Sequence, residues 1–385
     1  MAGSVVVVGA GIFGASIAHQ LAADGWQVTL VDQDQPGNER ATSSGWSRVI
    51  RFGHGDNTRY TRLAWRARTL WRQLEQETGT PLLVEAGVVW LARGDGGWET
   101  HSEATMRALG IPVERLSVAE LAAIYPSFAG DDLAFGLLEP AAGALHASRA
   151  TRLLADLAVA KGARLLRGRA APGGDPPGNA VLLDGRALGA DRVVWACGPW
   201  LAGLFPGLVN LRVSRREYYY YDAPGWTMPP LPVWYDWEGP FYGIADLDGH
   251  GLKAAPDDVG PAFDPDTPTR EPDYAREPDT RAYLHRRFPA LAEAPLVGAR
   301  VCQYELTPDN HFVVAPLPGA DAAWIVGGGS GHGFKHGPAL AEYVARLLVG
   351  AEPPDPKLGL GPRAVGPGLR SATADFAHPG APPAP

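Results

Sequence analysis

The chain opens with a stretch that reads Val5-Val6-Val7-Val8-Gly9-Ala10-Gly11-Ile12-Phe13-Gly14. Four β-branched residues in a row are typical of a strand that is buried on both faces of a sheet. The next residues predict a helix over 15–24 that ends at Gly25, then a second strand over 27–31 that is followed by Asp32. A strand, a glycine turn, a helix, a strand and an acid in this order predict a Rossmann-type dinucleotide-binding unit.

Each glycine of the turn has a physical role in such a unit. Gly9 permits the tight turn, Gly11 lets the backbone approach a pyrophosphate, and Gly14 lets the helix pack closely on the strand. The free N–H groups at the helix N-terminus favour phosphate, and Asp32 is placed to accept hydrogen bonds from ribose hydroxyls. The alternative is a glycine-rich turn in another α/β fold. The cofactor contacts predicted here are Gly9, Gly11, Ile12, Phe13, Gly14 and Asp32.

Composition limits the class of protein. A chain of 385 residues exceeds what one hydrophobic core usually serves, so we expect two domains. The net charge of -8, without a long basic run, argues against a nucleic-acid partner. No apolar run is long enough to span a bilayer, and the N-terminal valines lack the basic flank of a signal peptide. Cys197 and Cys302 are the only cysteines, which predicts a reducing, cytoplasmic location.

Two later segments repeat the pattern of a strand that runs into glycine. Residues 191–198 form a short acid-led strand that ends at Gly198, and residues 323–331 run into a glycine loop before a predicted helix over 338–349. NAD-binding domains are usually contiguous, so a cofactor domain built from separated segments favours FAD. We therefore predict an α/β fold with a discontinuous Rossmann-type FAD-binding domain and an α+β substrate domain. The predicted FAD domain covers 1–80, 142–207 and 316–365, the substrate domain 81–141 and 208–315, and a flexible tail 366–385.

Five segments in order resemble one family of flavoproteins. They are 47–51 (Ser-Arg-Val-Ile-Arg), 63–71, 251–253 (Gly-Leu-Lys), 301–312 and 330–335 (Ser-Gly-His-Gly-Phe-Lys). Together they resemble monomeric sarcosine oxidase and N-methyltryptophan oxidase, within the wider D-amino-acid-oxidase-like flavoproteins, over about residues 5–360. The resemblance implies a monomer that oxidises the C–N bond of a secondary amino acid (N-methyl or cyclic) to an imine and reduces O₂ to H₂O₂.

The resemblance also implies roles for individual residues. Cys302 would carry FAD through a thioether to the 8α-methyl carbon, a bond that a thiolate can form, although most free cysteines are small buried hydrophobes. Arg51 and Lys335 would hold the substrate carboxylate, the alternative being ordinary surface cations. Lys253 would stabilise negative charge that develops on O₂ near flavin N5, and Arg48 would keep the flavin environment positive.

Further positions follow from the same resemblance. Tyr242 and Tyr304 would shape the active site, with core packing as the alternative. His332 is interpreted as a loop residue near the cofactor and not as a catalytic base, and no metal site is predicted. The remaining predicted cofactor contacts are Ser43, Ser44, Gly198, Trp200, Gly329, Gly331, His332, Gly333, Phe334 and Lys335.

The chain departs from the family in the predicted pocket. Ser44 and Asp257 stand where the family has histidines, His54 stands for a tyrosine and Asp56 for a glutamate, which puts sarcosine itself in doubt. Aromatic residues crowd 218–242, and although sheet packing explains most of them, they favour a pocket for a large or cyclic amino acid. Three alternatives stay open: a flavin dehydrogenase with another electron acceptor, a biosynthetic oxidase that desaturates a cyclic or aromatic amino acid, and a non-catalytic FAD-binding protein.

Overall fold

A computed structural model describes residues 3–365, and the predicted tail 366–385 lies outside this range. Both strands and helices occur within this range, as the sequence predicts. In chain order the strands are β1 (Ser4–Val8), β2 (Gln27–Asp32), β3 (Ser47–Ile50), β4 (Leu83–Val84), β5 (Val88–Ala92), β6 (Glu114–Leu116), β7 (Phe135–Glu139), β8 (Gly143–His146), β9 (Arg164–Arg167), β10 (Ala170–Gly173), β11 (Ala180–Leu183), β12 (Arg186–Leu188), β13 (Arg192–Trp195), β14 (Arg212–Tyr221), β15 (Val233–Asp236), β16 (Phe241–Ile244), β17 (Leu252–Pro256), β18 (Leu296–Leu306), β19 (Val313–Leu317) and β20 (Ala320–Gly327). The α-helices are α1 (Ile12–Ala23), α2 (Thr58–Thr78), α3 (Trp98–Ala108), α4 (Val118–Ile124), α5 (Ala147–Ala160), α6 (Leu201–Leu204), α7 (Glu277–Arg287) and α8 (Gly337–Leu348).

A six-stranded sheet contains the N-terminal unit, in the order β19-β20-β13-β1-β2-β9. All its pairs are parallel except β19 with β20. The predicted α/β fold with a Rossmann-type unit is confirmed, because β1, α1 and β2 follow each other as parallel strand, helix and parallel strand. Helix α1 starts at Ile12, earlier than predicted, because Gly11 is already its N-cap.

The core of this sheet explains the run of valines. Val5, Val6, Val7 and Val8 are all 3% exposed or less, as expected for a strand between two layers. Helices α1, α5 and α8 pack together on one face. The predicted C-terminal helix is confirmed as α8, shifted by one residue, and a short 3₁₀ turn over Phe334–His336 leads into it.

A second, eight-stranded sheet has the order β18-β14-β17-β16-β15-β5-β7-β6. Its pairs are antiparallel except β15 with β5. The four consecutive tyrosines of β14 alternate between two faces. Tyr219 and Tyr221 belong to the main core, whereas Tyr218 and Tyr220 pack beside Cys302. Only half of the tyrosine run therefore faces the region of Cys302, as the strand period requires.

Smaller sheets complete the fold, in the orders β3-β8-β4 and β10-β11-β12. The first joins β4, from the predicted substrate segment, to β8 in a predicted FAD-binding segment, and β19 starts three residues before the predicted boundary at 316. The division into domains stays a prediction. Ser117 and Glu120 form a capping box at the start of α4. None of the described helices is long and apolar enough to cross a membrane.

Candidate active site

A cleft of about 1200 Å³, its open mouth included, lies where β1, β2 and β13 end. This is the edge at which α/β sheets bind nucleotides. Most predicted cofactor contacts line it. These are Gly9, Gly11, Ile12, Phe13, Asp32, Ser43, Arg48, Gly198, Trp200, Gly329, Gly331, Gly333 and Phe334, together with the predicted active-site residue Tyr304.

The glycine turn at the cleft has the geometry that its sequence suggests. Gly9 has a φ of +102°, and a Cβ there would lie 2.4 Å from Ala196 O. A Cβ on Gly14 would lie 1.7 Å from Gly9 O, so α1 can approach the turn only because this residue is glycine. A Cβ on Gly11 would meet only Ser43 Oγ, at 3.5 Å. The helix N-terminus beside Gly11 is therefore open to a ligand.

Two polar groups of the cleft fit a dinucleotide. Asp32 accepts hydrogen bonds from Ala10 N (2.5 Å) and Asp34 N (2.8 Å). Burial raises the pKa of its carboxyl, and these two hydrogen bonds oppose the rise. Ser43 Oγ is buried and has no hydrogen-bond partner in the structure. Because a buried hydroxyl without a partner is costly, Ser43 fits a site that a polar ligand completes.

Arg48 links the cleft to Cys302. Its guanidinium donates to Thr42 O and Ser47 O, both at 2.8 Å, and to Cys302 Sγ at 3.4 Å. Cys302 is 4% exposed and lies behind the lining residues Arg48 and Thr42, so it is beside the cleft without lining it. Cys197 lines the cleft and also packs on the sheet, and burial raises the pKa of its thiol.

Lys253 is buried on β17, with 2% of its surface exposed. Its ammonium lies 3.4 Å from Ser47 O and faces two aromatic rings, 4.2 Å from the centroid of Tyr218 and 5.5 Å from that of Tyr242. Burial lowers the pKa of Lys253 well below the usual value, and nearby Arg48 lowers it further. The structure thus places this lysine beside Arg48 and the predicted active-site residue Tyr242.

Arg51 and Lys335 are also brought together in the interior, at 4% and 2% exposure. Lys335 Nζ donates to His332 O at 2.9 Å. Burial lowers the pKa of Lys335 well below its usual value, Arg51 lowers it further, and the carboxylate of Glu139 raises it. Two buried basic side chains therefore lie beside one buried acid.

Aromatic rings surround the Arg51 guanidinium. Its Cζ lies 5.0 Å from the ring centroid of Trp90, 5.4 Å from Trp98 and 5.6 Å from Tyr235. Trp237 stacks on Trp98 at 4.1 Å. These rings hold the guanidinium by cation–π contacts, and Trp98 and Trp237 are the partly exposed members of the group.

Tyr235 and Tyr242 stack at 5.6 Å, and the Tyr235 hydroxyl donates to the buried carboxylate of Asp257. Arg216 lies 3.8 Å from the same carboxylate and 5.0 Å over the ring of Tyr304. Asp257 directly follows β17, the strand of Lys253, and is 3% exposed. Asp257 thus joins the predicted tyrosines in this polar cluster.

Three buried histidines, His54, His332 and His336, bring ring nitrogens within 4.8 Å of one another. His54 Nδ1 pairs with Phe52 O and His332 Nε2 with Asn310 O, both at 2.9 Å. Burial lowers the pKa of His54 and His336 well below the usual value, and Lys335 lowers both further. Imidazole rings suit a metal, but Lys335 and Arg51 beside them oppose a divalent cation.

Some predicted residues lie away from the cleft surface, and some cleft residues were not predicted. Gly14, Ser44, Cys302, His332 and Lys335 do not appear among the lining residues. Glu305 and Thr42 also line the cleft, although the sequence did not predict them. Glu305 accepts hydrogen bonds from Thr42 Oγ1 (3.0 Å) and Gly329 N (3.2 Å). An acid at position 305, within the segment 301–312 that carries the family resemblance, was the available signal.

The fold and the cleft define an FAD-binding oxidoreductase of the α/β class. Residues 4–347 match the family described as FAD dependent oxidoreductase, and the chain belongs to that family. It is therefore an FAD-dependent oxidoreductase, as the sequence predicts.

Two relatives agree with the predicted resemblance. The chain is 29% identical to a monomeric sarcosine oxidase of Bacillus sp. (strain B-0618) over 365 residues, which covers 90% of this chain and 92% of that one. It is 27% identical to an N-methyl-L-tryptophan oxidase of Citrobacter koseri over 357 residues, with 91% and 95% covered.

Solved structures share the fold. An L-proline dehydrogenase from P. horikoshii superposes with a TM-score of 0.79 at 22% identity, covering 92% of this chain and 95% of that one. An unusual amino acid oxidase essential for nikkomycin biosynthesis superposes with a TM-score of 0.76 at 23% identity, covering 93% and 97%. At these identities the likeness establishes the fold alone.

Proposed function

We propose that the protein is an FAD-dependent oxidase of a secondary amino acid, N-methyl or cyclic, which forms an imine and reduces O₂ to H₂O₂. The observation that carries the proposal is the pair of buried cations, Arg51 and Lys335, with Glu139 as their nearby buried acid. A substrate carboxylate would have two basic partners here, whereas a simple amine would have none. The curated sarcosine and N-methyltryptophan oxidases support the same substrate class.

FAD fits the cleft through the glycine turn, Asp32 and Ser43, and it would supply the acceptor for the hydride that leaves the substrate carbon. Arg51 would bind the carboxylate with a bidentate fork and Lys335 with a point charge. This placement orients the substrate, and the positive surroundings favour loss of a proton from its ammonium, so that the amine is neutral when its C–H bond breaks. Loss of the hydride and the amine proton leaves an imine, and water can hydrolyse it.

Lys253 would act in the second half of the reaction. When O₂ takes up electrons, negative charge develops on it, and a fixed ammonium nearby stabilises that charge. A dehydrogenase that passes electrons to another carrier has no such requirement, so Lys253 favours the oxidase. We also propose that Cys302 bonds to the 8α-methyl carbon of FAD. Its position behind Arg48, next to the cleft, supports this bond.

The rings of Trp90, Trp98, Tyr235 and Trp237 support a large or cyclic substrate. A planar ring would stack on Trp98 and Trp237, the two partly exposed rings, while its carboxylate reaches Arg51. The same surface fits an unsaturated ring, so double oxidation of a cyclic amino acid is the second candidate function. Oxygen uptake per substrate distinguishes the two, because double oxidation consumes twice as much O₂.

Anaerobic bleaching of the flavin tests the proposal. The panel contains N-methyl, cyclic secondary and primary D-amino acids, each beside its methyl ester. We expect a secondary amino acid to bleach the flavin while its ester does not, because the ester lacks the charge that Arg51 and Lys335 bind. Bleaching by ester and acid alike would overturn the carboxylate site. Bleaching without O₂ uptake on aeration would favour the dehydrogenase.

A further inference from the structure

The turn that follows Arg51 is held almost entirely by side chains. Glu139 accepts hydrogen bonds from Phe52 N and from Gly53 N, the latter at 3.1 Å. Ser102 Oγ accepts from Gly55 N at 2.8 Å. These residues come from β7 and α3, far from the turn in sequence. Such anchoring fixes a segment more firmly than local backbone bonding alone.

Glu139 also holds the environment of the guanidinium itself. Trp90 Nε1 donates to Glu139 Oε1 at 2.6 Å, and the same indole ring lies 5.0 Å from Arg51 Cζ. Arg51 donates a hydrogen bond to Gly53 O, and the N–H of the same Gly53 donates to Glu139. One carboxylate therefore fixes both a hydrogen-bond acceptor and an aromatic neighbour of Arg51.

Glu139 is fully buried, and burying an acid carries a free-energy cost. Its side chain is 0% exposed at the end of β7. A buried acid is stable only when hydrogen bonds or a counter-charge compensate it. A side chain at Gly53 would be crowded, because a Cβ there would lie 3.0 Å from Glu139 Oε1 and 3.2 Å from Ser102 Cβ. The turn is thus shaped around this carboxylate.

We propose that Glu139 is a positioning residue, whose carboxylate fixes the turn over 52–53 and the Trp90 ring so that Arg51 presents its guanidinium to the substrate carboxylate. This inference rests on the proposed function, because it needs Arg51 to be the carboxylate anchor. Glu139 itself does not touch the substrate. Its effect must therefore pass through Arg51 and must appear only with ligands that carry a free carboxylate.

The test uses pyrrole-2-carboxylate and its methyl ester, which are planar and not oxidised at the α-carbon. Their dissociation constants are measured from changes in flavin absorbance. Glu139→Asp keeps the charge but is too short to reach all three donors, so we expect it to weaken binding of the acid about 10-fold or more and to leave the ester unchanged. In an Arg51→Lys background the same substitution should make no further difference.

Glu75 offers a matched control. Its carboxylate also accepts two consecutive backbone N–H groups, Leu82 N and Leu83 N, at 2.7 and 2.8 Å. Glu75→Asp should lower the melting temperature and leave the ratio of acid to ester affinity unchanged. If Glu139→Asp does not fold, Gly53→Ala displaces the same turn from the carboxylate and should give the same selective loss.

Each contrary result has a distinct meaning. Glu139 would be a structural residue only if Glu139→Asp weakened binding of the acid and of the ester equally. The same conclusion would follow if Glu139→Asp weakened acid binding by the same factor in the Arg51→Lys background as in the parent. Unchanged acid binding in Glu139→Asp with tighter binding in Glu139→Gln would make it a counter-charge and overturn the positioning role. If the unaltered enzyme binds the acid no better than the ester, the proposed carboxylate site fails, and this inference fails with it.

Discussion

Replacing two glycines of the N-terminal turn by alanine is expected to have different effects: one substitution should lower the stability of the fold, and the other should weaken FAD binding. At Gly14 the new Cβ would lie 1.7 Å from Gly9 O, about 1.6 Å short of an ordinary C···O contact. Overpacking of this kind costs about 1–3 kcal/mol, because α1 must move away from β1. At Gly11 the new Cβ meets only Ser43 Oγ at 3.5 Å, and the backbone (φ −68°, ψ −178°) suits alanine. The cost to the fold is about 1 kcal/mol or less, chiefly from the poorer helix cap.

The assay compares thermal unfolding with and without added FAD. All variants carry Cys302→Ser, so that FAD can exchange freely. An excess of FAD about 1,000-fold over the dissociation constant stabilises the folded state by about 4 kcal/mol. We expect Gly11→Ala to unfold near the parent temperature without FAD and to lose most of the FAD-dependent rise, because its methyl group occupies the space of the pyrophosphate. Gly14→Ala should be less stable under both conditions.

Gly189→Ala is the control, since nothing lies within 4 Å of the Cβ that it adds. It should keep both the parent stability and the response to FAD. A Gly11→Ala variant with an undiminished response would show that the cofactor phosphates do not approach the helix at this residue. The assignment of the glycine turn as the pyrophosphate site would then be wrong, although the fold would stand.

Three further predictions concern single side chains. Lys253→Met should slow flavin reoxidation by about 100-fold or more in stopped-flow measurements and spare reduction, whereas Lys161→Met should change neither. Because burial lowers the pKa of Lys253, reoxidation should also slow as the pH rises, at values below an ordinary lysine pKa, and Lys253→Met should lose this dependence. Cys302→Ser should release FAD on denaturation, while the parent keeps flavin fluorescence on the denatured chain; release from the parent would refute the thioether. Burial raises the pKa of Glu99 to about 7, so the ionised form opposes folding at higher pH. Glu99→Gln should therefore raise the free energy of unfolding at pH 8 by up to about 3 kcal/mol and change it little at pH 4, as urea titrations can measure.

The sequence was enough to predict the nucleotide unit, because its features are local. A buried strand, a glycine turn and the helix that follows it each depend on residues that are neighbours along the chain. The position of the cleft also follows, since parallel strands end at the same edge of a sheet. Helix α1 begins at Ile12, three residues before the predicted start, because Gly11 inside the glycine turn already caps the helix.

The roles of buried acids could not be predicted in the same way. Glu139 bonds to Phe52 N and Gly53 N, more than eighty residues earlier in the chain, and Glu305 bonds to Thr42 Oγ1. A carboxylate that binds backbone N–H groups has no preferred residue type as its partner, so the sequence carries no complementary signal.

The net charge of the chain follows from its composition, whereas the charge at its binding site depends on the fold. The chain carries a net charge of -8, which argues against a nucleic-acid partner because such binding requires a broad basic surface. Yet Arg51, Lys253 and Lys335 are each 4% exposed or less, and the interior around them carries Glu139 and Glu305 as buried acids. Burial strengthens electrostatic interaction, so a few cations there outweigh many acids at the solvent-exposed surface. The sign of the net charge therefore predicts the solution behaviour of the protein, whereas the sign of its ligand depends on which side chains the fold removes from water.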